Sequence, residues 1–203
     1  MKTLIVFNHP YEGSYCNAIL EAVQSGLKKG NHEVDFIHLD KDNFDPVMRN
    51  KDLAAFAKAR NDAEGAYTML DPQVMDYKKR LEEAEHLIFI FPIWWELMPA
   101  LTKGFIDKVI FPGIAYNYGK NGRMLFCLKN LKGLTVVTTM NTPSFIYRVA
   151  FGNAIKKALV RGTFWKIGCP NRKWINLSGV KFVSEEKRKK WLMKLERKCI
   201  GLK

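Results

Sequence analysis

Residues 86–109 constrain this chain more than any other stretch. Leu87 to Phe91 is an unbroken apolar run, rich in aromatic and β-branched side chains. That is the pattern of a strand buried on both faces. Pro92 removes a backbone donor and should end the ladder there. Pro99 can open a helix in its first turn, and Leu101, Phe105 and Val109 recur at i, i+4 and i+8 as that helix's buried face. Trp94 and Trp95 stand between strand and helix. Ligands bind at the carboxyl ends of strands in open α/β sheets, and two indoles there offer a flat apolar wall to a planar ligand. The plainer reading makes them caps on the core.

The rest of the chain alternates in the same way. Thr3 to Phe7 is a second short apolar run. A helix follows with Ala18, Ile19, Ala22, Val23 and Leu27 on one face, closed by Lys28-Lys29-Gly30. Glu33 to Leu39 completes a strand–helix–strand unit. Asp71-Pro72 marks an N-cap and a proline start for a helix through Val74, Leu81 and Ala84. Leu134 to Met140 is a fourth strand, Phe145 to Leu159 a helix, Lys173 to Leu177 a weaker fifth strand, and Ser184 to Ile200 a last helix capped by Ser184. Asp40 to Leu70, helical at Asp52–Ala57, is an excursion that covers a sheet edge or reaches toward a partner. Ile110 to Gly122 keeps no period and suits a binding loop. Five strands alternating with helices predict one α/β domain over residues 1–203. It is a flavodoxin-like three-layer sandwich on a parallel five-stranded sheet in the order 2-1-3-4-5. The loops after the first and third strands then flank the switch point.

Those loops carry the candidate chemistry. The first has neither GxGxxG nor a P-loop, but Ser14 and Asn17 stand at a helix start. Backbone donors and the helix dipole there can hold a phosphate, with Ser14 adding a hydroxyl; the alternative is an ordinary N-cap. Thr138-Thr139-Met140-Asn141-Thr142-Pro143 ends the fourth strand with groups that can present amides and hydroxyls beside the tryptophans.

The formal charge of +13 favours anionic ligands through long-range attraction. The run Lys187-Arg188-Lys189-Lys190 reads as a solvated helix face. With no nucleic-acid motif beside it, nucleic acid is not the expected partner. No apolar run approaches the roughly 18 residues of a membrane span, and the opening residues are too soon interrupted for a signal peptide. Stable membrane insertion is therefore not expected. Cys16, Cys127, Cys169 and Cys199 form no CxxC pair and no ligand spacing, which implies reduced thiols, no metal and a cytoplasmic protein.

Residues Leu81 to Trp95, followed by Pro99-Ala100-Leu101-Thr102-Lys103-Gly104-Phe105, resemble the flavodoxin-like NAD(P)H:quinone oxidoreductases, the family of mammalian DT-diaphorase and its smaller bacterial relatives. The family pattern is a strand, then Phe-Pro, an aliphatic residue, a variable residue, Trp, and later Pro-Ala-x-x-Lys-Gly. The resemblance covers roughly residues 3 to 178. It implies a flavin held non-covalently, FMN or FAD, with NAD(P)H as hydride donor and a quinone or similar planar acceptor in a ping-pong cycle. His9, Ser14, Cys16 and Asn17 then fall on the flavin phosphate and ribityl chain. Pro92, Ile93, Trp94, Trp95, Thr138, Thr139, Met140 and Asn141 fall on the ring. The resemblance also implies a homodimer with sites at the interface, Tyr116 and Tyr118 lining the acceptor pocket from the partner subunit, and Tyr147 in the place of the active-site tyrosine. Met140-Asn141 departs from the usual Gly-Gly, and the histidine that accompanies the tyrosine in mammalian enzymes has no counterpart. Alternatives in the same fold are an azo- or nitro-compound reductase and a regulatory flavoprotein of a membrane transport system.

Overall fold

The computed structural model describes residues 1–202. In chain order the elements are β1 (Lys2–Phe7), α1 (Tyr15–Lys29), β2 (Glu33–His38), α2 (Asn50–Ala59), α3 (Ala63–Tyr67), α4 (Pro72–Glu83), β3 (His86–Pro92) and α5 (Ala100–Val109). Then come a hairpin of β4 (Tyr116–Tyr118) and β5 (Met124–Phe126), β6 (Gly133–Met140), α6 (Ser144–Val149), a π-helix (Lys156–Trp165), β7 (Arg172–Ser178) and α7 (Glu185–Ile200). The sheet order is β2-β1-β3-β6-β7, all parallel. Counted without the hairpin, which forms its own two-stranded sheet, this is the expected 2-1-3-4-5.

Successive strand residues point to opposite faces, so each strand feeds two apolar layers. Ile5, Phe7, Ile88, Ile90 and Val137 pack under α1 and α7 with Ile19, Val23 and Leu195. Leu4, Val6, Leu87, Phe89 and Val136 pack on the other side with Leu81 of α4, Phe105 of α5 and Phe164 of the π-helix. Coverage on both faces explains why β3 and β6 are buried throughout and lack polar alternation. A Cβ at Gly26 would stand 2.4 Å from the Glu196 carbonyl oxygen, so glycine lets α1 approach the backbone of α7.

Three segments differ from expectation. The helix over 145–159 is broken: α6 stops at Val149, Gly152 and Asn153 take positive φ (+62° and +54°), and the π-helix starts only at Lys156. Residues in the left-handed region terminate helices. Within 110–122, Tyr116–Tyr118 pairs antiparallel with Met124–Phe126; three-residue strands are too short to show a period. The excursion over 40–70 does more than flank the sheet, packing into the core beside Ile37 of the edge strand β2. Its Ala55, Ala59, Ala66 and Leu70 join the core cluster that holds Phe105, Phe111 and Ile114. A buried charge fixes it there. Lys108 Nζ of α5 lies 3.6 Å from Asp52 Oδ2 of α2 and 3.6 Å from Asp71 Oδ2. Asp71, at the N-cap position of α4, makes no capping bond and gives its carboxylate to Lys108 and Lys51.

The amino ends of the strands hold a second buried polar group. His86 is 3 % exposed, and its Nε2 lies 2.9 Å from Thr135 Oγ1. Burial, with the charges of Lys173 and His32, pushes its pKa down from 6.5 to about 4. The unfolded chain then holds the proton more tightly, so the stabilisation is complete above the unfolded value and is lost as pH falls from 6.5 toward 4. The expected loss from this residue is about 3 kcal/mol. Urea unfolding across that window should show it, and His86→Gln should flatten the slope; an unchanged slope would remove His86 as its source.

Among the described residues no helix is long and apolar enough to cross a membrane, no group of three or more His, Cys, Asp or Glu could hold a metal, and all four cysteines are free.

Candidate functional site

The end of β3 sets the site. Ile93 N–H donates to the Thr139 carbonyl at 2.7 Å, joining β3 to the end of β6. The chain then reverses in four residues. Trp94 N–H donates to Leu97 O and Leu97 N–H to Trp94 O, each at 3.0 Å. The central pair, Trp95 and Glu96, has φ of +48° and +64°. A two-residue turn with both central residues left-handed is the type I′ geometry, usually filled by Asn-Gly. Non-glycine residues held there cost on the order of 1–3 kcal/mol each. The turn throws the indoles outward: Trp94 is 46 % and Trp95 98 % exposed. Neither caps the core.

Polar contacts from the following segment pin this turn. Tyr147, wholly buried, donates its hydroxyl to the Glu96 carbonyl at 2.9 Å and accepts from Ile155 N–H at 3.0 Å. Thr142 Oγ1 donates to Glu96 Oε1 at 2.9 Å, while Glu96 Oε2 is buried with no partner. Between turn and β6 lies a cleft of about 340 Å³, lined by Ile93, Trp94, Trp95 and Glu96 on one side and Met140, Asn141 and Thr142 on the other.

The first loop meets the same place. The His9 ring stands edge-on to Trp94, with centroids 5.9 Å apart, and its Nδ1 accepts from Tyr11 N–H at 3.1 Å. Burial lowers the His9 pKa against the pull of Asp40, which favours the neutral ring. Ser14 is the N-cap of α1, accepting from Asn17 N–H at 3.3 Å and Asn17 Nδ2 at 3.0 Å. The cap leaves the other first-turn amides of α1 pointing out of the helix end, where anions bind. Cys16 Sγ lies 3.3 Å from Thr139 Oγ1, tying that helix end to β6, and burial pushes its thiol up to about 11.

The structure thus gathers His9, Ser14, Cys16, Asn17, Pro92, Ile93, Trp94, Trp95, Thr139, Met140 and Asn141 from the ends of β1, β3 and β6. It does not gather the rest. Thr138 points to the opposite face, where its hydroxyl donates to Asn176 Oδ1 at 3.0 Å and accepts from Trp174 Nε1 at 2.9 Å. Alternation along β6 forces that choice, because Thr139 takes the α1 side, against Cys16. Tyr147, expected beside the reacting atoms, lies beneath the turn with its hydroxyl committed to two backbone groups. Tyr116 is buried in a separate groove with Phe56, Ile106 and Met124. Tyr118 packs edge-on to it at 5.5 Å, with Arg60 over its ring. Glu96 and Thr142 line the cleft without having been singled out in sequence; the signal for Glu96 was its place directly after two tryptophans at a strand end.

The family model described as a flavodoxin-like fold matches residues 1–199. The crystal structure of Smu.1420 from Streptococcus mutans UA159 superposes with a TM-score of 0.83 at 31 % identity, covering all of both chains. The NAD(P)H:quinone oxidoreductase from Methanothermobacter marburgensis superposes with a TM-score of 0.86 at 23 % identity, covering 100 % of this chain and 96 % of that one. NAD(P)H dehydrogenase [quinone] 1 from Cavia porcellus is 33 % identical over 125 residues, 58 % of this chain and 46 % of that protein. The chain spans about half the length of the curated relatives it first matches. A match from residue 1 to residue 199, on a sheet of this order, means that the chain belongs to the flavodoxin-like fold family.

Proposed function

We propose that this protein is a flavin-dependent NAD(P)H oxidoreductase that delivers two electrons to quinones or similar planar acceptors. One observation carries the reading. A strained type I′ turn holds two indoles outward beside a cleft that the end of β6 closes, with His9 of the first loop against Trp94 and Cys16 of α1 against Thr139. Strain of this kind gathers at functional sites, and exposed indoles favour a planar partner. The name of the Cavia porcellus relative, an NAD(P)H dehydrogenase for quinone, supports the same reading.

The residues fit a flavin. The end of α1, with Ser14 and Asn17, suits a phosphate. Trp94 and His9 form a wall for the ring, and the Thr139 hydroxyl stands at its edge. The partnerless Glu96 Oε2 is an acceptor for an N–H or O–H of the ligand. When bound, the flavin supplies the reversible uptake and release of hydride. The chain's own residues orient the two substrates in turn and keep water from the stacked face. The basic charge draws in the dinucleotide's phosphates.

Oligomerisation completes the proposal. Phe145, Ile146, Val149 and Phe151 are exposed on and just after α6, beside the cleft's Thr142. Apolar surface of that kind marks an interface, and we assign it to a second copy, whose hairpin would bring tyrosines to the acceptor side. The four free thiols suit a reducing cytoplasm.

The test is absorbance. Protein supplied with FMN and FAD should retain one of them, with a band at roughly 450 nm, and oxidise NAD(P)H when a quinone is added. Trp94→Ala should weaken flavin binding by about tenfold or more, equivalent to about 1.4 kcal/mol. A colourless protein that oxidises no NAD(P)H would end this reading and leave the fold untouched.

A further inference from the structure

A second cavity is larger than the cleft. It has a volume of about 730 Å³ and lies under α7, at the opposite end of the sheet. Register places it. On this face the rows across the sheet are Thr3, His86 and Gly133; then Ile5, Ile88, Thr135 and Lys173; then Phe7, Ile90, Val137 and Ile175. The cavity opens over the second and third rows. Its floor is Ile88, Val137 and Ile175, and its walls are Val23 of α1 and Leu195 and Leu202.

Its two ends differ. The third row is wholly apolar. The second carries the Thr135 hydroxyl beside Lys173, and α7 runs back toward it, bringing Arg197 and Lys198 to the same cavity. Among the described residues these three cations enter no ion pair, and no acidic residue lines the cavity. The row beyond that end is polar too. Thr3 Oγ1 and His86 Nδ1, neighbours across β1 and β3, are buried without partners. His86 touches the cavity through Thr135. Cavities of this size hold small molecules.

We propose that this cavity binds a free single-chain amphipathic carboxylate, a medium- or long-chain fatty acid in chemical class. The carboxylate sits at Lys173, Arg197, Lys198 and the Thr135 hydroxyl. The tail runs up the sheet over Val137 and Ile175, between Val23 and Leu195. The site is independent of the flavin reading, because it lies at the amino ends of the strands and the cleft lies at their carboxyl ends.

The experiment is calorimetry on the full chain, with whatever flavin it retains, using dodecanoate below its micelle concentration. Dodecanoate should bind one-to-one, at least about a hundredfold more tightly than butyrate, since each buried methylene contributes roughly fourfold. It should bind about tenfold or more tightly than dodecyltrimethylammonium, which inverts the charge. Val137→Phe, which fills the floor, should abolish binding. The triple variant Lys173→Gln, Arg197→Gln, Lys198→Gln changes only exposed side chains and should weaken dodecanoate at least about fivefold while leaving the ammonium probe unchanged. Flavin content should not move in either variant. The proposal is overturned by no heat at millimolar dodecanoate, by equal affinity for both dodecyl probes, by binding that survives the triple variant, or by association only with phosphatidylglycerol vesicles.

Discussion

Replacing Lys108 with alanine is expected to destabilise the fold by about 3–5 kcal/mol, a large share of the stability of a domain this size. The lysine and Asp52 side chains are each 1 % exposed, and the ammonium is shared between two carboxylates at 3.6 Å. Asp52 Oδ2 also accepts from Arg49 N–H at 2.7 Å, opening α2, while Oδ1 has no partner. Removing the cation leaves a buried carboxylate uncompensated, which costs far more than the pair contributes. The double variant Lys108→Met, Asp52→Asn should therefore cost clearly less than the sum of its two singles. Urea midpoints read the coupling. Strictly additive costs would show that the pair does not anchor α2 to α5.

Tyr147→Phe is the second expected large effect, about 2–4 kcal/mol, because it orphans the buried Ile155 amide and the part-buried Glu96 carbonyl, and a buried group left unpaired costs about 1–3 kcal/mol. Burial raises the pKa of this phenol, and both of its bonds hold backbone. The tyrosine positions the Trp94–Leu97 turn. Flavin affinity should fall along with stability, since the strained turn loses its clamp. A variant as stable as the parent, with intact flavin binding and turnover reduced by a hundredfold or more, would instead return the hydroxyl to the reacting atoms.

Much of the scaffold could be read without coordinates, and the reason lies in particular residues. Leu87–Phe91 is a continuous apolar run, and Leu134–Met140 mixes Leu, Val and Met with uncharged threonines, patterns that suit a strand covered on both faces. Asp71-Pro72 and Ser184 mark helix starts by local chemistry. The site was legible to the same depth. Strand ends identified the loops, and those loops converge. What stayed hidden depends on direction or distance. Whether Thr138 or Thr139 turns toward α1 is a matter of phase, and both have the same side chain. Tyr147 occupies the expected position in the chain, yet its hydroxyl points under the turn. The break at Gly152–Asn153 rests on two backbone angles that no hydrophobic period encodes. The anchoring of α2 joins Asp52 to Lys108, 56 positions apart in the chain.

Burial of the cysteines has a chemical consequence for the proposed reduction of quinones, which are electrophiles that alkylate sulfur. The attacking species is the thiolate. Cys16 and Cys199 are pushed up to about 11 and Cys169 to about 12 by burial. At neutral pH only about one in ten thousand or fewer of these groups is ionised, against a few per cent of ordinary thiols. Cys16, next to Thr139, is thus a spectator that cannot readily form an adduct with an electrophile in the neighbouring cleft. Mass spectrometry after incubation with excess benzoquinone should find the first adduct on half-exposed Cys127; prompt modification of Cys16 would contradict this shielding. The buried thiols make the scaffold tolerant of an electrophilic acceptor.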